Sequence, residues 1–112
     1  MAKETHSGAP PAAPQLSERQ RRHLRGLAHP LKPVILMGKT GLTAALAAEA
    51  ARALHDHELI KVKAPAGDRA ARDAMLELLA HQTGSTLVQR IGNVAVLYRP
   101  RSGLPRILIP DT

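Results

Sequence analysis

The segment VILMGKTGLT, residues 34–43, decides the predicted fold and limits the ligands that this sequence can bind. Val34 to Met37 are apolar and predict a short buried strand, and Thr43 can cap a following helix. Gly38 to Thr40 match the end of the nucleotide-binding motif G-x-x-x-x-G-K-[ST], but Pro33 stands where that motif begins with glycine. Because proline cannot adopt a positive φ and has no N–H to donate to a phosphate, the motif predicts no ATP or GTP binding.

What remains is a G-x-x-G turn, Gly38 to Gly41, between a strand and a helix. Two glycines remove the Cβ atoms that would keep a phosphodiester backbone away, and the N–H groups of the next helix point towards the anion. KH domains clamp a few nucleotides with a loop of this kind. The same two glycines also fit an ordinary β-to-α turn, so the spacing alone leaves both interpretations open.

The 112 residues carry a formal net charge of +7, and the basic residues lie towards both ends of the folded part. The middle of the chain is nearly balanced. A one-sided positive field attracts polyanions, of which nucleic acid is the most common. The alternative is that these charges only keep the protein soluble, since the composition would be the same. Residues 16–41 hold Arg19, Arg21, Arg22, Arg25, Lys32 and Lys39 against Glu18, and residues 90–106 hold Arg90, Arg99, Arg101 and Arg106 with no acid.

The composition predicts one small domain in the cytoplasm. The chain has no cysteine, which fits a reducing compartment, and it has neither a secretory signal nor an apolar run long enough to cross a membrane. We expect residues 1–15 to form a disordered Ala/Pro-rich tail, residues 16–100 a domain and residues 101–112 a basic C-terminal tail. With Tyr98 as the sole aromatic residue, a sheet that stacks bases on paired aromatics is excluded. Tyr98 either stacks a single base or packs in the interior.

Local signals predict the elements in the order α-β-α-β-α-β-β. A capping box at Ser17 and Gln20 begins a helix over residues 18–28 with Leu24 and Leu27 facing inward. Strands are predicted at 34–37 and 59–64 around a helix that ends near residue 57, and Gly92-Asn93 predicts a closing hairpin. A third helix is predicted to begin at Asp68 and to end at Gly84. Its inward-facing residues should be Ala71, Met75, Leu78 and Leu79.

This order predicts a two-layer α/β domain with a mixed four-stranded sheet. So few helices should cover one face only, which would leave open the face that carries Leu59, Lys61 and Lys63. Catalytic and metal sites are poorly supported. His55 and His57 are two residues apart on a helix and cannot share a face, and the chain has no cofactor motif, so we expect no enzyme, metal or cofactor.

Three segments together resemble the bacterial YhbY-type proteins, the single-domain form of the CRM (chloroplast RNA splicing and ribosome maturation) domain. They are LSERQRRHLRGLAHPLKPVILMGKTGLT, HELIKVKA and IGNVAVLYRP, and the likeness covers residues 16–100. The resemblance implies a fold similar to the C-terminal domain of bacterial translation initiation factor three. It also implies RNA binding, which in bacterial members concerns precursors of the large ribosomal subunit and in plastid members group II intron splicing. The family's G-x-x-G loop falls on Gly38 to Gly41, and its basic positions fall on Arg22, Lys32, Lys61, Lys63 and Arg99.

The sequence therefore predicts a monomeric, non-enzymatic RNA-binding protein, a ribosome-assembly factor that contacts ribosomal RNA of the large subunit. Lys39 and the N–H groups after Gly41 would hold phosphates, with Thr40 at the tip of the turn. The helix arginines Arg19, Arg22 and Arg25 and the strand lysines would extend the track. The alternative is a basic adaptor that docks an acidic protein partner.

Overall fold

Residues 13–112, the part of the chain that the computed structural model describes, form three helices and four strands in the predicted order. The predicted disorder of residues 1–15 therefore lies almost entirely outside the described residues. The first strand is shorter than predicted, at two residues. The elements are α1 Glu18–Ala28, β1 Ile35–Leu36, α2 Ala44–His57, β2 Leu59–Lys63, α3 Arg69–Thr83, β3 Thr86–Ile91 and β4 Val94–Tyr98.

The helix boundaries follow the capping residues. The Ser17 hydroxyl accepts from the Gln20 N–H at 3.1 Å, and the Gln20 side chain accepts from the Ser17 N–H at 2.9 Å, which completes the predicted capping box. Thr43 caps α2 and Asp68 caps α3 in the same manner. Gly84 ends α3 with φ 66°, a left-handed conformation that glycine adopts without a steric penalty. These four boundary predictions are confirmed.

The sheet is mixed, as predicted, with the strand order β1-β2-β4-β3. β1 and β2 run parallel, and the other two pairs are antiparallel. One register row crosses all four strands, because Leu36 pairs with Lys63, Lys63 with Val94 and Val94 with Ile91. Directly opposed residues share a face of the sheet, so these four side chains form one row on one face. We call it the end row, because it lies where β1 leads into the Gly38 loop.

Both faces of the sheet carry a core, which corrects the expectation of a single covered face. α2 and α3 pack on one face around Ile60, Val62 and Leu97. On the other face, α1 adds a partial third layer through Leu24 and Ala28 over a second cluster: Leu59, Val88, Val96 and Tyr98. Around Tyr98 the strands direct apolar side chains towards both faces of the sheet, so both faces must be covered by other parts of the chain.

The inward faces of two helices differ from the prediction. Leu27 and Leu78 are 41% and 47% exposed, and Ala71 is exposed as well. In α3 the buried stripe is instead Leu76, Leu79, Ala80 and Thr83, which has the i, i+3, i+4, i+7 spacing of one helix face. The prediction for α3 was therefore wrong at Ala71 and Leu78, whereas Met75 and Leu79 do face the core.

The C-terminal segment, residues 101–112, packs against the domain. The side chain of Glu58 is fully buried and accepts hydrogen bonds from the N–H groups of Arg101, Arg106 and Ile107. Ile107 and Ile109 then pack against the cluster under α1. Residues assigned from the sequence to a basic tail therefore help to close the second face of the sheet.

Candidate nucleic-acid interface

The loop between β1 and α2 is a tight turn that presents two side chains to solvent. The Gly41 N–H donates to the Gly38 carbonyl oxygen at 2.9 Å, so Lys39 and Thr40 occupy the central positions of a β-turn. Both side chains are exposed. The turn therefore offers an ammonium and a hydroxyl group at its tip.

The two glycines of this loop have different structural roles. Gly41 is buried with φ 76°, and a Cβ atom there would lie 2.8 Å from the sulfur of Met75, so any other residue would be strained at this position. At Gly38 a Cβ atom would meet no atom within 4 Å, and φ is not left-handed. The space in front of Gly38 is therefore open, and the backbone there can be approached closely from outside.

The positive end of α2 lies directly behind the turn. Its first turn contains no acidic residue, so no side chain of that turn neutralises the helix dipole. The Thr43 hydroxyl accepts from the Leu46 N–H at 3.1 Å and satisfies one of the free donors at the helix start. The dipole and Lys39 thus bring positive charge to the same place.

Lys63 joins this site through the register of the sheet. It pairs with Leu36, two residues before Gly38, and its side chain is exposed. The connection after it is fixed to the β3–β4 hairpin, because Ala64 and Asn93 exchange two hydrogen bonds of 2.7 and 2.8 Å. The structure therefore brings Gly38, Lys39, Thr40, Gly41 and Lys63 together at one end of the sheet.

A second group of predicted cations lines a groove between α1 and the sheet. The groove has a volume of about 640 Å³, and its walls include Arg22, Arg25 and Lys61. The Arg25 guanidinium hydrogen-bonds Glu18 at 3.0 Å and lowers the pKa of that carboxyl below its ordinary value. The Lys61 ammonium donates to the carbonyl oxygens of His29 and Leu31, which ties the chain after α1 to the sheet. Of these three cations, Arg22 is the most exposed.

The remaining predicted positions lie apart from the loop. Arg99 follows the opposite end of β4, and its half-buried guanidinium donates to the carbonyl oxygens of Thr83 and Ala51, which braces α3 against α2. Lys32 is exposed in the connection from α1 to β1, and Arg19 is exposed in the first turn of α1. Neither Arg99, Lys32 nor Arg19 shares the loop's end of the sheet.

Some structural features of this side of the protein had no clear signal in the sequence. Arg21, one of the basic residues counted in residues 16–41, is not a free surface cation, because its guanidinium donates to the Leu87 and Val88 carbonyl oxygens beside a register shift in β3. Gln89 and Ile91 line the groove beside α1 and were not predicted as site residues. The pattern of alternation along β3 was the signal that could have placed them on this face.

Tyr98 packs in the interior and cannot present its ring to a base. It is 2% exposed, within the cluster under α1. Burial raises the pKa of its hydroxyl, and the negative charge of Glu58 raises it further. Of the two interpretations of this tyrosine, the packed one is correct.

In residues 13–112, no group of three His, Cys, Asp or Glu side chains is placed to hold a metal ion. No helix within the same range is both long and apolar enough to cross a membrane.

Comparison with known proteins places this geometry in a family. The model of the CRS1 / YhbY (CRM) domain matches residues 16–99. A Haemophilus influenzae protein named "RNA-binding protein" is 45% identical over 85 residues, which cover 76% of this chain and 86% of the relative. The Bacillus subtilis "Probable RNA-binding protein YqeI" is 36% identical over 95 residues, covering 85% of this chain and 99% of the relative.

A solved structure agrees with these sequence relatives. The solution structure of a hypothetical protein from Staphylococcus aureus superimposes with a TM-score of 0.74 at 33% identity. The match covers 86% of this chain and all of that protein. The chain therefore belongs to the CRS1/YhbY (CRM) domain family, as its sequence motifs predicted.

Proposed function

We propose that this protein binds RNA and that the Gly38 to Gly41 turn holds the phosphate backbone. The observation that carries the proposal is the contrast between the two glycines. The left-handed backbone of the fold favours glycine at position 41, whereas the space before Gly38 is open, beside an exposed lysine and the start of α2. Related proteins of the same family are named as RNA-binding proteins, which supports the same conclusion.

The turn can hold a phosphate by electrostatic and hydrogen-bonding contacts. The Lys39 ammonium pairs with a phosphate oxygen, and the Thr40 hydroxyl can donate to another. The absence of a side chain at Gly38 lets the phosphate reach the backbone, and the unneutralised start of α2 favours its negative charge. Such contacts fix the position of the nucleic acid but carry little sequence information.

We further propose that the bound RNA is ribosomal RNA of a large-subunit precursor and that the protein acts as a cytoplasmic assembly factor. The support is the resemblance to YhbY-type proteins together with the net charge of +7. Binding as a monomer, without catalysis or a nucleotide cofactor, is part of this proposal.

Crosslinking in cells followed by sequencing of the bound RNA tests the proposal. We expect large-subunit precursor RNA to be enriched and the association with ribosomal particles to disappear after nuclease digestion. An association that survives digestion would contradict RNA binding and support a basic adaptor docked on an acidic protein.

A further inference from the structure

The face of the sheet that carries α1 is covered at one end only. Leu24 and Ala28 cover the end near Tyr98, whereas no helix within residues 13–112 lies over the end row near the Gly38 loop. Two apolar side chains of the end row are largely exposed, Leu36 at 70% and Ile91 at 67%. This part of the sheet is an apolar surface that the described chain does not cover.

The uncovered area continues into the groove beside α1. Ile91 and Val94 belong to both the end row and the groove, whose floor also includes Val96 and the half-buried amide group of Gln89. We call this continuous surface the open sheet face. Its rim carries Arg22 and Lys61, and no acidic side chain lines the groove within the described residues.

An apolar floor, an amide group and a cationic rim match the chemistry of an unpaired nucleotide. The flat faces of a base are apolar, its edges carry hydrogen-bond donors and acceptors, and its phosphate is an anion. A duplex hides the faces of its bases and presents mainly phosphates and sugar hydroxyls, so it cannot use an apolar floor. The open sheet face therefore suits single strands and not duplexes.

We propose that the open sheet face holds unpaired bases of the same RNA whose backbone is held at the Gly38 loop. The inference rests on the proposed function and adds a preference for single-stranded RNA. Leu36 of the end row lies two residues before Gly38. A single RNA strand can therefore run from the turn directly onto the end row.

The size of the surface agrees with this occupant. Strands lie about 4.8 Å apart, so the end row spans about 14 Å across four strands. Sheets of this width hold two or three bases where aromatic side chains stack them, and here apolar side chains would provide the contact surface instead. Continuity with the Gly38 loop favours RNA over an acidic peptide, which would find the same cations but has no need of the turn.

The test replaces Ile91 by serine and measures affinity for an unpaired oligonucleotide and for a fully paired hairpin. Because Ile91 is mostly exposed, Ile91→Ser should fold, which a thermal melt checks. We expect about fivefold weaker binding of the unpaired RNA and less than about twofold for the duplex, because unpaired bases would bury the apolar Ile91 side chain and a duplex would not. Ile91→Tyr should instead tighten binding of the unpaired RNA about threefold, because it adds an aromatic ring on which a base can stack.

Leu78→Ser is the matched control. Leu78 is 47% exposed on α3, on the opposite side of the sheet, and this variant should bind both RNAs like the wild type. Lys39→Glu provides the second arm and should weaken binding of both RNAs, because both present phosphates to the turn.

The outcomes separate the inference from the proposed function. If Ile91→Ser and Leu78→Ser bind unpaired RNA equally well while Lys39→Glu does not, the inference is overturned and RNA binding stands. If the wild type binds neither RNA, the proposed function itself fails. An Ile91→Ser variant that keeps both affinities but loses a co-purifying protein also overturns the inference, since the surface would then dock a protein.

Discussion

Replacing each glycine of the Gly38 to Gly41 turn by alanine separates the needs of the fold from those of the ligand. At Gly41 a left-handed conformation costs a residue with a Cβ atom about 1–2 kcal/mol. The new methyl group also meets the Met75 sulfur at 2.8 Å, although this flexible side chain can partly move away. We expect Gly41→Ala to lose about 2 kcal/mol of unfolding free energy, which lowers Tm by about 10 °C in a domain of this size.

Gly38→Ala should have the opposite profile. No atom lies within 4 Å of the added Cβ, and φ is already outside the left-handed region. The unfolding free energy should change by no more than about 0.5 kcal/mol in either direction. If a phosphate reaches the backbone here, the methyl group removes a charge-assisted hydrogen bond worth about 1.5–3 kcal/mol, so affinity should fall at least about tenfold.

Thermal melts and RNA titrations of both variants, at one salt concentration, measure these effects. The expected result is one variant that is unstable and another that is stable but binds weakly. A Gly38→Ala protein with full affinity would show that no phosphate approaches this backbone. A Gly41→Ala protein that melts with the wild type would refute the steric reasoning about the turn.

Three further predictions concern the C-terminal segment, the buried tyrosine and the ionic contacts. Glu58→Gln replaces the carboxylate that accepts hydrogen bonds from three backbone N–H groups, so it should destabilise the protein by about 2 kcal/mol. The C-terminal segment should then expose Arg101 and Arg106 to trypsin, and unchanged melting and digestion would contradict this role. Because folding raises the pKa of Tyr98, its contribution to stability is complete below the unfolded value near pH 10 and is lost as pH rises through the folded value. Because Tyr98 is the only tyrosine, tyrosinate absorbance measures its titration alone. Tyr98→Phe should remove the loss of stability at alkaline pH that comes from this residue. A Tyr98 that titrates near pH 10 in the native protein would be evidence against its burial. If about five phosphates are neutralised on single-stranded RNA, the logarithm of affinity should fall against the logarithm of salt concentration with a slope near −3.5, and a slope near zero would rule out electrostatic binding.

The predictable part of this fold is the part with local signals. Ser17, Thr43, Asp68 and Gly84 each act within one turn of the residue that shows the pattern, and the hairpin at Gly92 likewise needs only its neighbours. The parallel pairing of β1 and β2 follows from the strand-helix-strand order, because α2 carries the chain back to the edge where β1 began and the two strands then run in the same direction. The fold class could therefore be predicted without any long-range information.

Long-range contacts account for what the sequence did not reveal. The cluster under α1 joins Leu24 with Val96 and Ile107, which are far apart in the chain, so the position of α1 could not be derived from any one segment. Glu58 lies in the polar stretch HDHE, where nothing indicates that its carboxylate is buried.

The same limit applies to the candidate site. Arg21 and Arg99 look like surface cations in the sequence, yet both donate to backbone carbonyl oxygens of other elements. The Gly38 loop was identifiable because its residues are adjacent. Its junction with Lys63 and Ile91 depends on the register of four strands, which composition and periodicity do not fix.

The most direct test of the central claim compares two variants with the same change of charge. Lys39→Glu and Arg52→Glu each convert one exposed cation into an anion, the first at the tip of the turn and the second on the outer side of α2. RNA titration at a single salt concentration should show at least about tenfold weaker binding for Lys39→Glu and less than about twofold for Arg52→Glu. Equal losses in the two variants, or full affinity in a folded Lys39→Glu protein, would contradict the claim that this turn holds the RNA.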